Sequence, residues 1–229
     1  MSALPLCFDV PPYRLSGVVY GALLNHAPLL AALGDGVNQA PYKAAPKAPV
    51  LQVKPRNTLA ADGERIEVPA GVPGLEMGAT LGIVIGRTAC RVARAEALSF
   101  VAGYTIVNDI SVPQPSHYRP AVRWRARDGF CPIGPRVVPA SDLPEPDARV
   151  VRVSIDGEWV HETSIGERLR GVAQLIADVT EFMTLQPGDL LLLGSAAGAP
   201  LARAGQSVAV AIDGIGILRN TFVAAGAGA

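Results

Sequence analysis

The sequence predicts a β-rich fold of the α+β class, and three observations carry that expectation. Glycine and proline, 24 and 20 residues, cut the chain into short apolar runs, the pattern of many strands joined by turns. Helical spacing appears in only two segments. Those two do not alternate with the strands, which argues against a doubly wound parallel sheet.

Taken in order, the expected strands cover residues 17–24, 50–54, 65–68, 78–86, 90–92, 102–109, 150–155, 158–161, 189–193, 208–213 and 216–220. Asp156-Gly157 makes a hairpin turn between two of them. The first helix, 94–100, is short. The second, 171–184, sets Val172, Leu175, Ile176, Val179, Phe182 and Met183 at helical spacing as a core stripe, and Pro187-Gly188-Asp189 stops the chain beyond it. Residues 1–48 are expected to form an N-terminal segment with small strand and lid elements, 49–223 the main domain, and 224–229 a frayed tail.

Twenty basic and twenty acidic residues cancel, so no global field recruits nucleic acid or an anionic membrane. No apolar run reaches the length of a membrane span. The first thirty residues lack a basic lead and a cleavage site. Cys7, Cys90 and Cys131 have no zinc spacing and suit a reducing cytoplasm, where each acts as a small apolar residue.

The chemistry concentrates between Glu76 and Ser111. E-M-G-A-T-L-G-I-V-I-G (76–86) and G-Y-T-I-V-N-D-I-S (103–111) read as two apolar strands, the second ending in Asp109. The side-chain period of two places Glu76, Gly78 and Thr80 on one face. A metal or acid/base site needs carboxylates there, and this face offers one acid, one glycine and one hydroxyl.

G-Y-x-x-x-N-D-x-S, R-D-G-F-C-P-I-G-P (127–135) and L-x-P-G-D (185–189), with P-V-L-Q-V-K-P-R-N-T at 49–58, together resemble the fumarylacetoacetate hydrolase family over nearly the whole chain. The resemblance implies a mixed β-sandwich roll with a few short helices, of the type of that family's C-terminal domain. It also implies an oligomer, a divalent ion (Mg2+ or Mn2+), and a small oxo-acid substrate with two or three carboxylates. P-Y-K-A-A-P-K (41–47), K-P-R-N-T and N-D-I-S-V-P-Q-P-S-H-Y-R-P (108–120) are similar to one branch. That branch is the first half, or first subunit, of two-module isomerase/decarboxylases in 4-hydroxyphenylacetate breakdown.

The family's two glutamate ligands fall on Gly78 and Thr80; the third ligand falls on Asp109. Glu76 is the local substitute, but it lies roughly 6–7 Å along the strand from Gly78 and misses the ligand position unless a bulge intervenes. A lysine near the metal falls on Arg125, and the usual turn threonine on Ser195. His26 lies in the lid region and is the candidate general base, with Asp109 and Arg125 as the other catalytic candidates. Lys54, Tyr118, Arg119, Arg127 and Ser195 are the candidate substrate contacts, since bidentate arginines suit carboxylates. Arg56 and Lys43 belong to the same mouth, and His117 and His161 are further histidines.

The resulting expectation is a cytoplasmic subunit of a bifunctional 2-hydroxyhepta-2,4-diene-1,7-dioate isomerase / 5-carboxymethyl-2-oxo-hex-3-ene-1,7-dioate decarboxylase. Its metal site would be degraded, and its partner a homologous second subunit or a second copy. Two alternatives stay open: a self-sufficient Mg2+-dependent oxo-acid hydrolase or decarboxylase, and a non-catalytic subunit supporting an active homologue.

Overall fold

The computed structural model describes residues 4–5, 17–114 and 121–226. In chain order its strands are β1 (Leu4–Pro5), β2 (Val19–Leu23), β3 (Val50–Lys54), β4 (Leu59–Ala60), β5 (Arg65–Val68), β6 (Leu75–Glu76), β7 (Ala79–Ile85) and β8 (Val101–Asn108). They continue as β9 (Cys131–Pro139), β10 (Val150–Ile155), β11 (Glu158–Ser164), β12 (Leu190–Leu192), β13 (Leu201–Ala202), β14 (Ser207–Ile212) and β15 (Gly216–Ala224). The helices are short: α1 (Ala27–Ala32), α2 (Val122–Arg125) and α3 (Val172–Thr180).

One sheet runs β1-β9-β8-β7-β12-β2-β3, with β4 also on β9; the other runs β11-β10-β14-β15-β5. Pairing is mixed: β12 is antiparallel to β7 but parallel to β2. β2, from the N-terminal segment, thus lies inside the larger sheet, between β12 and β3. The two sheets share one core, in which Leu81, Ile83, Ile85 and Ile106 meet Val151, Val153, Val210, Leu218 and Phe222. A second cluster, Val19, Val107, Ile133, Leu190 and Leu192, covers the opposite face of the larger sheet. Both faces of β7 are therefore buried, so it reads as a continuous apolar run without alternation.

The α3 stripe packs as expected at Val172, Leu175, Ile176 and Val179. Phe182 does not: the helix ends at Thr180, and the ring beyond it is 61% exposed. The expected strand at 90–92 is absent. Arg91 adopts φ 50°, and this segment docks on the end of α3, with Arg91 and Val92 N–H groups donating to the Thr180 carbonyl and Oγ1. The tail expected to fray from 224 is still tied at Ala225, whose N–H donates to the Val68 carbonyl at 3.1 Å.

Candidate active site

β3, β8, α2 and the start of β9 converge on Asp109. Period-two alternation sends Gln52 and Lys54 to the same face of β3, and both reach the carboxylate. Lys54 Nζ donates to Asp109 Oδ1 at 2.8 Å, Gln52 Nε2 to Oδ2 at 2.5 Å, and Arg125 Nη1 to Oδ2 at 3.0 Å. Lys54, Asp109 and Arg125 are all buried. Lys54 gives its other two protons to the carbonyls of Arg125 (2.8 Å) and Phe130 (3.1 Å), so its ammonium is saturated. Burial alone would push the Asp109 carboxyl up. The Lys54 and Arg125 charges, with the Lys54 and Gln52 hydrogen bonds, outweigh burial and hold it below the ordinary value.

The glutamate positions are closed as well as replaced. A Cβ on Gly78 would lie 2.1 Å from the Asp109 carbonyl oxygen, because the Asp109 N–H donates to the Gly78 carbonyl at 3.0 Å. The Thr80 hydroxyl donates to the Gly194 carbonyl at 3.0 Å. Glu76 pairs with Ser111, whose hydroxyl donates to Oε2 at 3.1 Å; it does not compensate at Asp109. Among the described residues no cluster of three or more His, Cys, Asp or Glu can hold a metal ion.

A divalent ion does not fit this donor set. Unit charges about 4 Å apart interact by about 4 kcal/mol at an effective dielectric of about 20. A dication at Asp109 would gain roughly twice that from the carboxylate, and lose a comparable amount to each of two cations already in place. Asp109 here is the counter-ion of Lys54 and Arg125. The cluster carries a net charge of about +1, and Arg125 Nε is buried without a hydrogen-bond partner among the described residues. An unmet buried donor costs about 1–3 kcal/mol, more when charged.

His26 has other partners than the Asp109 cluster. It caps α1: Nδ1 accepts from Leu29 N–H at 3.3 Å and Ala197 N–H at 3.1 Å, which puts the ring proton on Nε2. That nitrogen lies 3.5 Å from Glu167 Oε2 and 3.5 Å from Thr163 Oγ1. Burial first, then the nearby Arg168, lowers its pKa below the ordinary histidine value. Its loop is pinned by Asn25, which bonds the Arg170 backbone in both directions and the Leu193 carbonyl. In this structure His26 serves as the cap of α1 on an anchored loop.

Ser195 is half-buried in the turn after Gly194, whose carbonyl also accepts from Arg168 Nε at 3.0 Å. Arg127 donates to the Arg123 carbonyl and lines an open groove of about 700 Å3 with Asn57, Glu64 and Asp128. Arg56 and Lys43 are exposed. Tyr118, Arg119, His117 and Cys7 lie outside the described residues. Cys131 is buried against this site, and burial pushes its thiol up to about 12, so it stays protonated. Gln52 and Arg168 were given no role from the sequence: Gln52 lies within the 49–58 motif, but nothing marks a strand amide there as functional, and Arg168 lies in no motif, so only spatial convergence marks them.

The molecule is thus a mixed, mostly β roll with a buried cation–carboxylate cluster where β3, the end of β8, α2 and the start of β9 meet. The chain belongs to the fumarylacetoacetate (FAA) hydrolase C-terminal family, whose model matches residues 18–223. It is 38% identical over 209 residues to the 4-hydroxyphenylacetate degradation bifunctional isomerase/decarboxylase of Escherichia coli, covering 91% of this chain and 48% of that protein. The chain thus spans about half the length of the curated relatives it matches. The 2-hydroxyhepta-2,4-diene-1,7-dioate isomerase of Mycobacterium marinum shares the fold with a TM-score of 0.77 and 29% identity, over 93% of this chain and 76% of that one. The fumarylpyruvate hydrolase of Pseudomonas aeruginosa, solved with Mn2+ and pyruvate, has a TM-score of 0.80 at 24% identity, over 97% and 96% of the two chains; this likeness is one of fold.

Proposed function

We propose that this chain is one module of a two-module isomerase/decarboxylase acting on 2-hydroxyhepta-2,4-diene-1,7-dioate and 5-carboxymethyl-2-oxo-hex-3-ene-1,7-dioate. It works beside a homologous module that retains the family's acidic ligands. The observation that carries the reading is the match to about half of a bifunctional relative, joined to a site whose Asp109 is committed to Lys54 and Arg125. A cytoplasmic location belongs to the same proposal; among the described residues no helix is long and apolar enough to cross a membrane.

Isomerising a dienol moves a proton between carbons through an enolate-like state, which fixed positive charge stabilises. Here Asp109 orients Arg125, and Lys54 anchors Asp109 while tying α2 and the start of β9 to β3. Arginine then positions a substrate carboxylate or enolate oxygen. The substrate roles of Arg127, Ser195, Tyr118 and Arg119 belong to the same proposal, since a substrate with two or three carboxylates needs more than one cation.

The test is an absorbance assay of the hydroxydienoate with the purified chain, alone and with the homologous module. Turnover by the chain alone, or a rise of at least tenfold over the homologue alone on mixing, supports the reading. Turnover by the homologue that the chain does not alter rejects it in favour of a non-catalytic subunit.

A further inference from the structure

We propose that Arg125 is the receptor of a metal-independent anion site, which takes the planar carboxylate or enolate edge of a 2-oxo acid with no divalent ion between ligand and protein. The proposal rests on the reading above that this site handles oxo-acids, and it specifies how the site does so.

Four observations converge. Arg125 is 6% exposed, and its Nε N–H has no partner among the described residues, so a buried donor awaits an acceptor. Its Nη1 is fixed by Asp109 at 3.0 Å, which sets the guanidinium plane while leaving the Nε edge for a bidentate partner. Lys54 is saturated by Asp109, the Arg125 carbonyl and the Phe130 carbonyl. It contributes charge to the site but no free proton, and two buried cations facing one carboxylate leave an excess positive charge for an anion to compensate. Finally, the positions that would bring acid into the site are closed, Gly78 by the Asp109 carbonyl and Glu76 by its pairing with Ser111. Among the described residues no carboxylate other than Asp109 pairs with Arg125.

The charge a metal would supply is therefore provided by the protein. A guanidinium also selects differently from a metal. It rewards a planar, bidentate oxygen pair and is indifferent to chelation.

Titration calorimetry of the full chain with oxalate, in buffer stripped of metals by a chelating resin and again with Mn2+ added, tests this. The expected result is binding in stripped buffer with a Kd changed less than about threefold by Mn2+. Arg125→Gln should lose at least tenfold. Arg125→Lys, which keeps the charge but not the fork, should also weaken binding with its thermal transition preserved, which covers the case in which the glutamine variant does not fold. Binding that appears only with Mn2+, binding unchanged in the lysine variant, or no binding in either buffer overturns the proposal. Metal-free oxalate binding by a chain that neither turns over the hydroxydienoate alone nor alters its turnover by the homologue would instead sink the isomerase reading and leave the anion site standing.

Discussion

Gly78 is held to glycine by its neighbour rather than by its own backbone. With the Asp109 carbonyl 2.1 Å from where a Cβ would sit, Gly78→Ala forces the β7–β8 junction apart and should cost about 1–3 kcal/mol as an overpacked site. The double variant Gly78→Glu/Thr80→Glu, which restores the family's acidic pattern on paper, should unfold at lower urea concentration and gain no Mn2+ binding by calorimetry; tight metal binding would reject this account of the site. Asp109 has the opposite character, being required for charge. Asp109→Asn leaves two buried cations uncompensated and should cost about 3–5 kcal/mol at neutral pH. Folding lowers the Asp109 pKa, so its contribution is complete above the unfolded value of 3.8 and is lost as pH falls through the still lower folded value. Urea unfolding of wild type and variant should therefore converge in strong acid; a gap that persists there would refute the charge argument. Lys54 and Asp109 were legible in the sequence because they sit in motifs, and Arg125 because the family's lysine position falls on it. The sequence concealed that both cations pair with the one carboxylate, since no spacing reports a contact between residues 54, 109 and 125.

At the scale of elements, the short helix α1 depends on a side chain that can titrate. His26 accepts two backbone N–H bonds through Nδ1, and its pKa is lowered on folding by burial and Arg168. His161 is shifted the same way, by burial and then Arg168. The unfolded chain thus binds more protons near pH 6, and stability falls as pH drops through the ordinary histidine value. His26→Asn keeps a capping acceptor but removes the titration. Its melting temperature should decline less than that of wild type between about pH 7 and 5, and equal slopes would count against His26 as a titrating cap. Elements differed in how far the sequence exposed them. β7 and β8 were visible as apolar runs, while β9 was missed because Pro132, Pro135 and Pro139 argue against a strand. The structure accommodates Pro135 at a register shift opposite Tyr104–Ile106, where the ladder is already interrupted.

At the scale of the whole molecule, the mixed roll was legible from turn spacing and motif order. The insertion of β2 into the middle of the larger sheet was not, because a parallel partner 171 residues away leaves no local trace; Val19 pairs with Leu190. That long-range closure makes the chain one cooperative unit, so any ligand that prefers the folded state must raise its melting temperature. A metal site with a Kd near 10 μM would add about 2.7 kcal/mol at 1 mM metal, or about 5–10 °C for a domain of this size. The Asp109 cluster leads to a different expectation. Millimolar Mg2+ or Mn2+ should move the transition of the isolated chain by less than about 1 °C, whereas oxalate raises it in metal-free buffer. With a homologous module that keeps the acidic ligands, the complex should show a transition that metal does raise, because the bound ion then belongs to the partner's site. Differential scanning fluorimetry of the chain, the homologue and their mixture distinguishes these cases, and a metal-dependent rise in the chain alone would place the ion at Asp109 after all.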